Sequence, residues 1–140
     1  MLKYDKLNRT LTKVKETSLT NEQLLERPDL QASIINSWDV FRNEINFPSA
    51  MLIGQEINPD QSTLDRLDIL ALDSEDLSLI VIELKREKNK LHLLQAISYA
   101  AMLSNKNNDE LKEIAQSQKC YEHEELIEFL ESNDLSSEIK

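Results

Sequence analysis

Residues 66–85 read "RLDILALDSEDLSLIVIELK", two apolar runs on either side of a polar DSED. Each run has the length and the Leu/Ile/Val content of a strand, and the break between them has turn composition, so the stretch predicts a β-hairpin. A turn centred between Glu75 and Asp76 sets residue 73 opposite 78 and residue 68 opposite 83. Strand side chains alternate, so Glu83 and Lys85 leave on one face while Ile82 and Leu84 leave on the other. Asp68 and Glu83 then become direct cross-strand neighbours, with Cβ atoms about 4.5–5.5 Å apart. Two carboxylates that close on an apolar strand pair repel unless a cation cancels them. Mg²⁺, which prefers carboxylate oxygens, is the natural choice. Lys85, next along that face, comes within reach of a metal-bound water or a phosphate oxygen. The ordinary alternative for Glu-X-Lys is a solvated face or a surface ion pair, which contributes little.

Elements on both sides of the hairpin follow from pattern. Residues 1–15 alternate weakly and predict one strand or a short hairpin. "SLTNEQLLERPDL", from Ser18, offers a helix cap near Thr20 or Asn21, with a start or kink at Pro28. Leu30, Ile34, Ile35, Trp38 and Phe41 have the spacing of one apolar helix face. "MLIGQEI", 51 to 57, predicts a strand that ends beside Glu56, and "NPDQST" a loop. "KLHLLQAISYAAML", 90 to 103, is apolar almost all round and predicts a largely buried helix. Two further helices are expected over 109–118 and 121–132, and the tail "SNDLSSEIK" is expected to fray. The order describes a single α/β domain, helices packed around a small mixed sheet.

Composition bounds the function. The chain has 140 residues, 26 acids against 16 bases, a formal charge of −10, one glycine and one cysteine. With Gly54 alone, glycine loops that cradle phosphates are excluded. Cys120 alone forms no internal disulfide, which suits a reducing compartment. No signal peptide or membrane-length apolar run is present, and a cytoplasmic protein is expected. The acidity counts against any function that rests on a broad basic surface.

The combined pattern resembles the PD-(D/E)XK nuclease superfamily, the restriction-endonuclease-like fold. Its carriers are Asp68 in "RLDIL", Glu83 and Lys85 in "IELK", and Gln95 and Tyr99 in "QAISY", the last pair like that of the RecB-like and NucS-like branches. The resemblance is strongest over 50–104 and extends weakly to "ERPDLQ", 26 to 31. It implies an α-β-β-β-α core and metal-dependent hydrolysis of DNA, with a role in defence, restriction or repair. By the same resemblance Asp68, Glu83 and the Leu84 carbonyl hold Mg²⁺ or Mn²⁺, with Glu56 as a further ligand. Lys85 positions or activates the attacking water and stabilises charge on the phosphate, and Gln95 and Tyr99 orient the site or contact the strand. For the acid of the first helix, Glu22, Glu26 and Asp29 compete, with Glu26 preferred. The family core carries a fourth strand that is not found after residue 104. Either the amino-terminal segment supplies it or the chain is the amino-terminal piece of a longer protein, and the second is favoured because "LESNDLSSEIK" reads as the start of a further segment. The partner is DNA, with a homodimer or an additional domain supplying positive surface.

The runner-up is a non-catalytic interaction or nucleic-acid-binding module on the same fold, with an open sheet edge available to a partner strand. The remaining residues are read plainly. His92 and His123 have no metal-type spacing and are expected on the surface or a helix face, Cys120 is expected to be inert, and Trp38 is assigned to the core. Lys85, Arg86, Lys88 and Lys90 form the best basic cluster, and Lys3, Lys6, Arg9, Lys13 and Lys15 a weaker one. Glu122, Glu124, Glu125 and Glu128 mark a solvated helix face.

Overall fold

The computed structural model describes residues 2–18, 20–59, 64–85, 90–118 and 123–133. Strands β1 (Leu2–Asp5) and β2 (Thr10–Lys13) form a small antiparallel hairpin. Its turn is held by the Asp5 carboxylate, which accepts hydrogen bonds from the backbone N–H groups of Leu7 and Asn8. A π-helical turn, Glu26–Gln31, leads into α1 (Ala32–Asn36), and α2 follows (Trp38–Glu44). Pro28 falls inside that first turn, where its missing N–H deprives the helix of little. The Asp29 carboxylate reaches back to the Leu25 N–H at 2.7 Å and closes the helix start.

Three antiparallel strands then build the main sheet in the order β3 (Ala50–Ile57), β4 (Leu67–Asp73), β5 (Ser78–Ile82). Every residue of β4 is buried, as a central strand covered on both faces must be. On one face Ile69, Leu52 and Ile82 pack with Ile34, Trp38 and Phe41 of α1 and α2. The Trp38 indole N–H also donates to the Ala50 carbonyl, so the ring is core, as expected. On the other face Leu70, Leu72 and Val81 pack under α3 (Lys90–Leu103), α4 (Asn108–Ser117) and α5 (Glu124–Ser132).

The helix-strand-strand-strand-helix order stands, and the protein is a mixed α/β domain. Three expectations need correction. The sheet is antiparallel among the described residues rather than mixed: β4 pairs antiparallel with β3 on one side and with β5 on the other, the latter across the tight turn at 74–77. Helix α3 is not largely buried: Leu91, Leu93, Leu94 and Ile97 are 55–67% exposed, because only the side bearing Tyr99 and Leu103 meets the sheet. His123 is not a surface residue. It is 8% exposed at the start of α5, with its Nε2 3.1 Å from the Gln118 carbonyl oxygen. Asn107 and Glu110 form a capping box that starts α4, which the sequence carries as N-x-x-E.

Gly54 sits beside a bulge in β3, and the Gln118 side chain fills the space a Cβ would occupy. A methyl there would lie 2.5 Å from Gln118 Cγ. Gln118 accepts a hydrogen bond from the Gln55 N–H, and Gln55 in turn accepts one from Gln31 of the first helix. Gly54→Ala must therefore push Gln118 out and break this chain of amides. The expected cost is about 1–2 kcal/mol, read as a lowered urea midpoint at unchanged slope.

Candidate functional site

The predicted hairpin register is the observed one. Asp73 pairs with Ser78 and Ile69 with Ile82, across a turn at residues 74–77. Continuing that ladder by one step sets Asp68 against Glu83. Regular pairing stops at Ile82, and the reason is Asp68 itself. Its carboxylate, rather than a backbone carbonyl, accepts the Leu84 N–H at 2.7 Å. The side chain takes over the ladder and turns the end of β5 into a fixed loop.

Asp68 is 2% exposed and the Glu83 side chain 5% exposed. Lys85 Nζ lies 2.9 Å from Glu83 Oε1, so Glu83 and Lys85 do share a side, as strand alternation predicts. Glu83 Oε2 is buried and has no hydrogen-bond partner. Burial pushes the Glu83 carboxyl above its ordinary pKa, and the nearby Asp68 charge pushes the same way, while Lys85 and a hydrogen bond from the Asp68 backbone N–H oppose them. The Leu84 side chain points to the opposite face and joins Ile34 and Ile69 in the core.

The other buried acid of β4 makes a useful contrast. Asp73, at the far end of the strand, holds the turn: its Oδ1 accepts from the Ser49 hydroxyl and the Glu75 N–H, and Ser74 ties back to the Ser49 carbonyl. Asp73 is a structural carboxylate. The Asp68 end places a second acid and a cation on the same spot and leaves one buried oxygen of Glu83 over.

Gln95 and Tyr99 are brought onto one another on α3, the Gln95 amide donating to the Tyr99 hydroxyl at 2.8 Å. Tyr99 packs into the core on the face that Asp68, Leu70 and Leu72 share. The pairs Gln55–Ile69 and Ile57–Leu67 put the position of Glu56 beside Asp68, its backbone is left-handed (φ 52°), and its carboxylate Oε1 is buried. Among the described residues no three His, Cys, Asp or Glu side chains are grouped to hold a metal ion. Of the competing first-helix acids, Glu22 accepts from the Thr17 hydroxyl and Asp29 from the Leu25 N–H. Glu26 has its backbone in the π-helical turn, and its side chain lies outside the described residues, as do Arg86, Lys88, Cys120 and Glu122 and the side chains of Lys90 and His92. Glu124, Glu125 and Glu128 are exposed, in keeping with a solvated face. A cleft of about 560 Å³ beside α2 is lined by Trp38, Val40, Arg42 and Met51, and none of Asp68, Glu83 or Lys85 lines it.

The raised Glu83 pKa has a sign that can be tested. A carboxyl whose folded pKa exceeds its unfolded value binds its proton more tightly in the native state, so stability falls as pH rises from the unfolded pKa through the folded one. Without metal, Glu83 therefore weakens the fold at neutral pH. Glu83→Gln is expected to raise the melting temperature at pH 7 in the presence of a chelator. That gain is expected to shrink as the pH is lowered through the raised Glu83 pKa toward the ordinary carboxylate range, and to be gone below that range, where the side chain is protonated in the folded and unfolded chain alike.

The chain matches no family model, no curated protein and no solved structure. Fold and site together define a mixed α/β domain with a buried Asp–Glu pair and a lysine at the end of its hairpin. Among the described residues no helix is long and apolar enough to cross a membrane.

Proposed function

We propose that the chain hydrolyses phosphodiester bonds in DNA with the help of Mg²⁺ or Mn²⁺, through Asp68, Glu83 and Lys85. The observation that carries this reading is the buried, unpartnered Oε2 of Glu83 beside Asp68, on a carboxylate already held by Lys85. A buried carboxylate oxygen left without a donor is costly, and a hard divalent cation is the partner that relieves it. Mg²⁺ is commonly bound by one or two carboxylates, with water and phosphate oxygens completing its shell. Asp68 and Glu83, with the Leu84 carbonyl, fit that need without a third acid, and no ligand role for Glu56 is required. When bound, the ion would act as a Lewis acid and lower the pKa of a coordinated water.

The chain's own groups then have distinct tasks. Lys85 is positioned to orient the attacking water and to balance charge on the phosphate as the new P–O bond forms. The bond to the leaving sugar oxygen breaks, and that oxygen takes up a proton. Glu83 fixes the Lys85 ammonium by its Oε1. Asp68 fixes the backbone at Leu84 and so the spacing between Glu83 and Lys85. Gln95 and Tyr99, coupled to each other, are the orienting pair in this reading.

The test is cleavage of supercoiled, linear and single-stranded DNA at low salt with Mn²⁺, wild type beside Glu83→Ala. Low salt is required because a chain of charge −10 binds a polyanion weakly. Cleavage by the wild type that disappears in the variant supports the reading. Cleavage at equal rates in both would sink it.

A further inference from the structure

The apolar side of α3 is exposed in a helix that carries no acid and no Arg, and whose only lysine is Lys90 at its first position. Leu91, Leu93, Leu94 and Ile97 are each more than half exposed, and Met102 is 38% exposed. Tyr99 and Leu103, on the opposite side, are held by the sheet. At 100° per residue, Leu94, Ile97 and Ala101 form the ridge facing directly away from the core, with position 90 at its amino-terminal end and Leu91, Leu93 and Ser98 on its flanks. A helix apolar on both sides is normally covered on both. Side chains of this size and exposure make a patch on the order of 500 Å², at the upper end of what monomeric proteins show.

We propose that this face is covered by the same face of a second copy, with the two α3 helices antiparallel about a two-fold axis near Ile97 and Ser98. Three features select a second copy over an unlike partner. First, this helix carries no acid in a chain of charge −10, so its outer face is one on which two copies meet without acid–acid repulsion. Second, antiparallel packing is self-complementary: it sets Leu94 of one copy against the small Ala101 of the other, large against small across the axis. It also moves the Lys90 end of each helix about 20 Å from its counterpart. Third, two such patches back to back bury on the order of 1,000 Å², about the threshold that separates an interface between copies from a casual contact. The inference does not depend on the cleavage reading.

The measurement is mass by light scattering on a sizing column, at tens of micromolar chain. Wild type is expected to run as a dimer. Ile97→Lys and Ile97→Glu, each alone, are expected to run as monomers with unchanged circular dichroism, because the side chain they alter is exposed in the single chain. Mixed in equal amounts, the two variants are expected to recover the dimer, since residue 97 of one copy lies across the axis from residues 97 and 98 of the other. A monomeric wild type overturns the proposal and leaves the face to an unlike partner. A wild-type dimer that survives both substitutions overturns it too, by placing the interface elsewhere, and a mixture that stays monomeric rules out the two-fold pairing.

Discussion

Lys85→Ala is expected to lower metal-dependent DNA cleavage by about two to three orders of magnitude, the usual loss when one charge-stabilising donor is removed. It is expected to leave metal binding intact. The Lys85 ammonium sits 2.9 Å from Glu83 Oε1, so in the proposed site it competes with a cation for the same carboxylate. Its removal strengthens the negative field of the Asp68–Glu83 pair. By linkage, the gain in melting temperature on adding Mn²⁺ should be at least as large in Lys85→Ala as in the wild type. Asp68→Asn and Glu83→Gln should lose both the cleavage and the Mn²⁺-dependent gain. This split separates a metal ligand from a group that acts on the phosphate, which a loss of activity alone does not. Cleavage by Lys85→Ala at the wild-type rate would show that the lysine has no part in the chemistry. Absence of any Mn²⁺ gain in the wild type would remove the metal from the reading and favour a binding module.

The hairpin and its register were legible because turn composition and alternation act locally. DSED breaks two apolar runs, and once Asp73 faces Ser78 the position of Asp68 relative to Glu83 follows by counting. The Asp68 hydrogen bond to the Leu84 N–H was not legible. It depends on a side chain replacing a backbone acceptor, and no pattern of apolar residues encodes that. The misjudged burial of α3 has a related cause. Periodicity reports what one helix offers, but whether both its sides are covered depends on how many layers the rest of the chain supplies. Here the helices after residue 107 pack chiefly on β3, while α3 packs chiefly on β5, with Tyr99 and Leu103 reaching the core of β4. The burial of His123 was not legible for the same reason, since it follows from the packing of α5 and from the Gln118 carbonyl. Gln31 and Gln55 carried no signal at all, since two glutamines 24 residues apart become partners only when helix and sheet meet.

Leu70→Ala is expected to cost about 3–4 kcal/mol, within the range for emptying a buried leucine site, and to lower the melting temperature by roughly 10 °C. Leu70 is completely buried at the middle of β4. Its cross-strand neighbours are Gly54 and Val81, and its cluster includes Tyr99, Leu103, Leu111 and Leu126. Gly54 brings no side chain toward the space that Leu70 would vacate. The sheet backbone on both sides is fixed by hydrogen bonds, so the cavity cannot collapse and the cost should fall in the upper part of the range. Leu94→Ala, a change of the same chemistry on the exposed side of α3, should cost no more than about 0.5 kcal/mol in the isolated chain. The pair is best read from urea midpoints at a concentration where the chain is monomeric. A lower midpoint with unchanged slope for Leu70→Ala assigns the loss to the native core rather than to the unfolded chain. If the two substitutions cost the same, α3 is not seated on β5 as described. Tyr99 would then not lie over the face that carries Asp68.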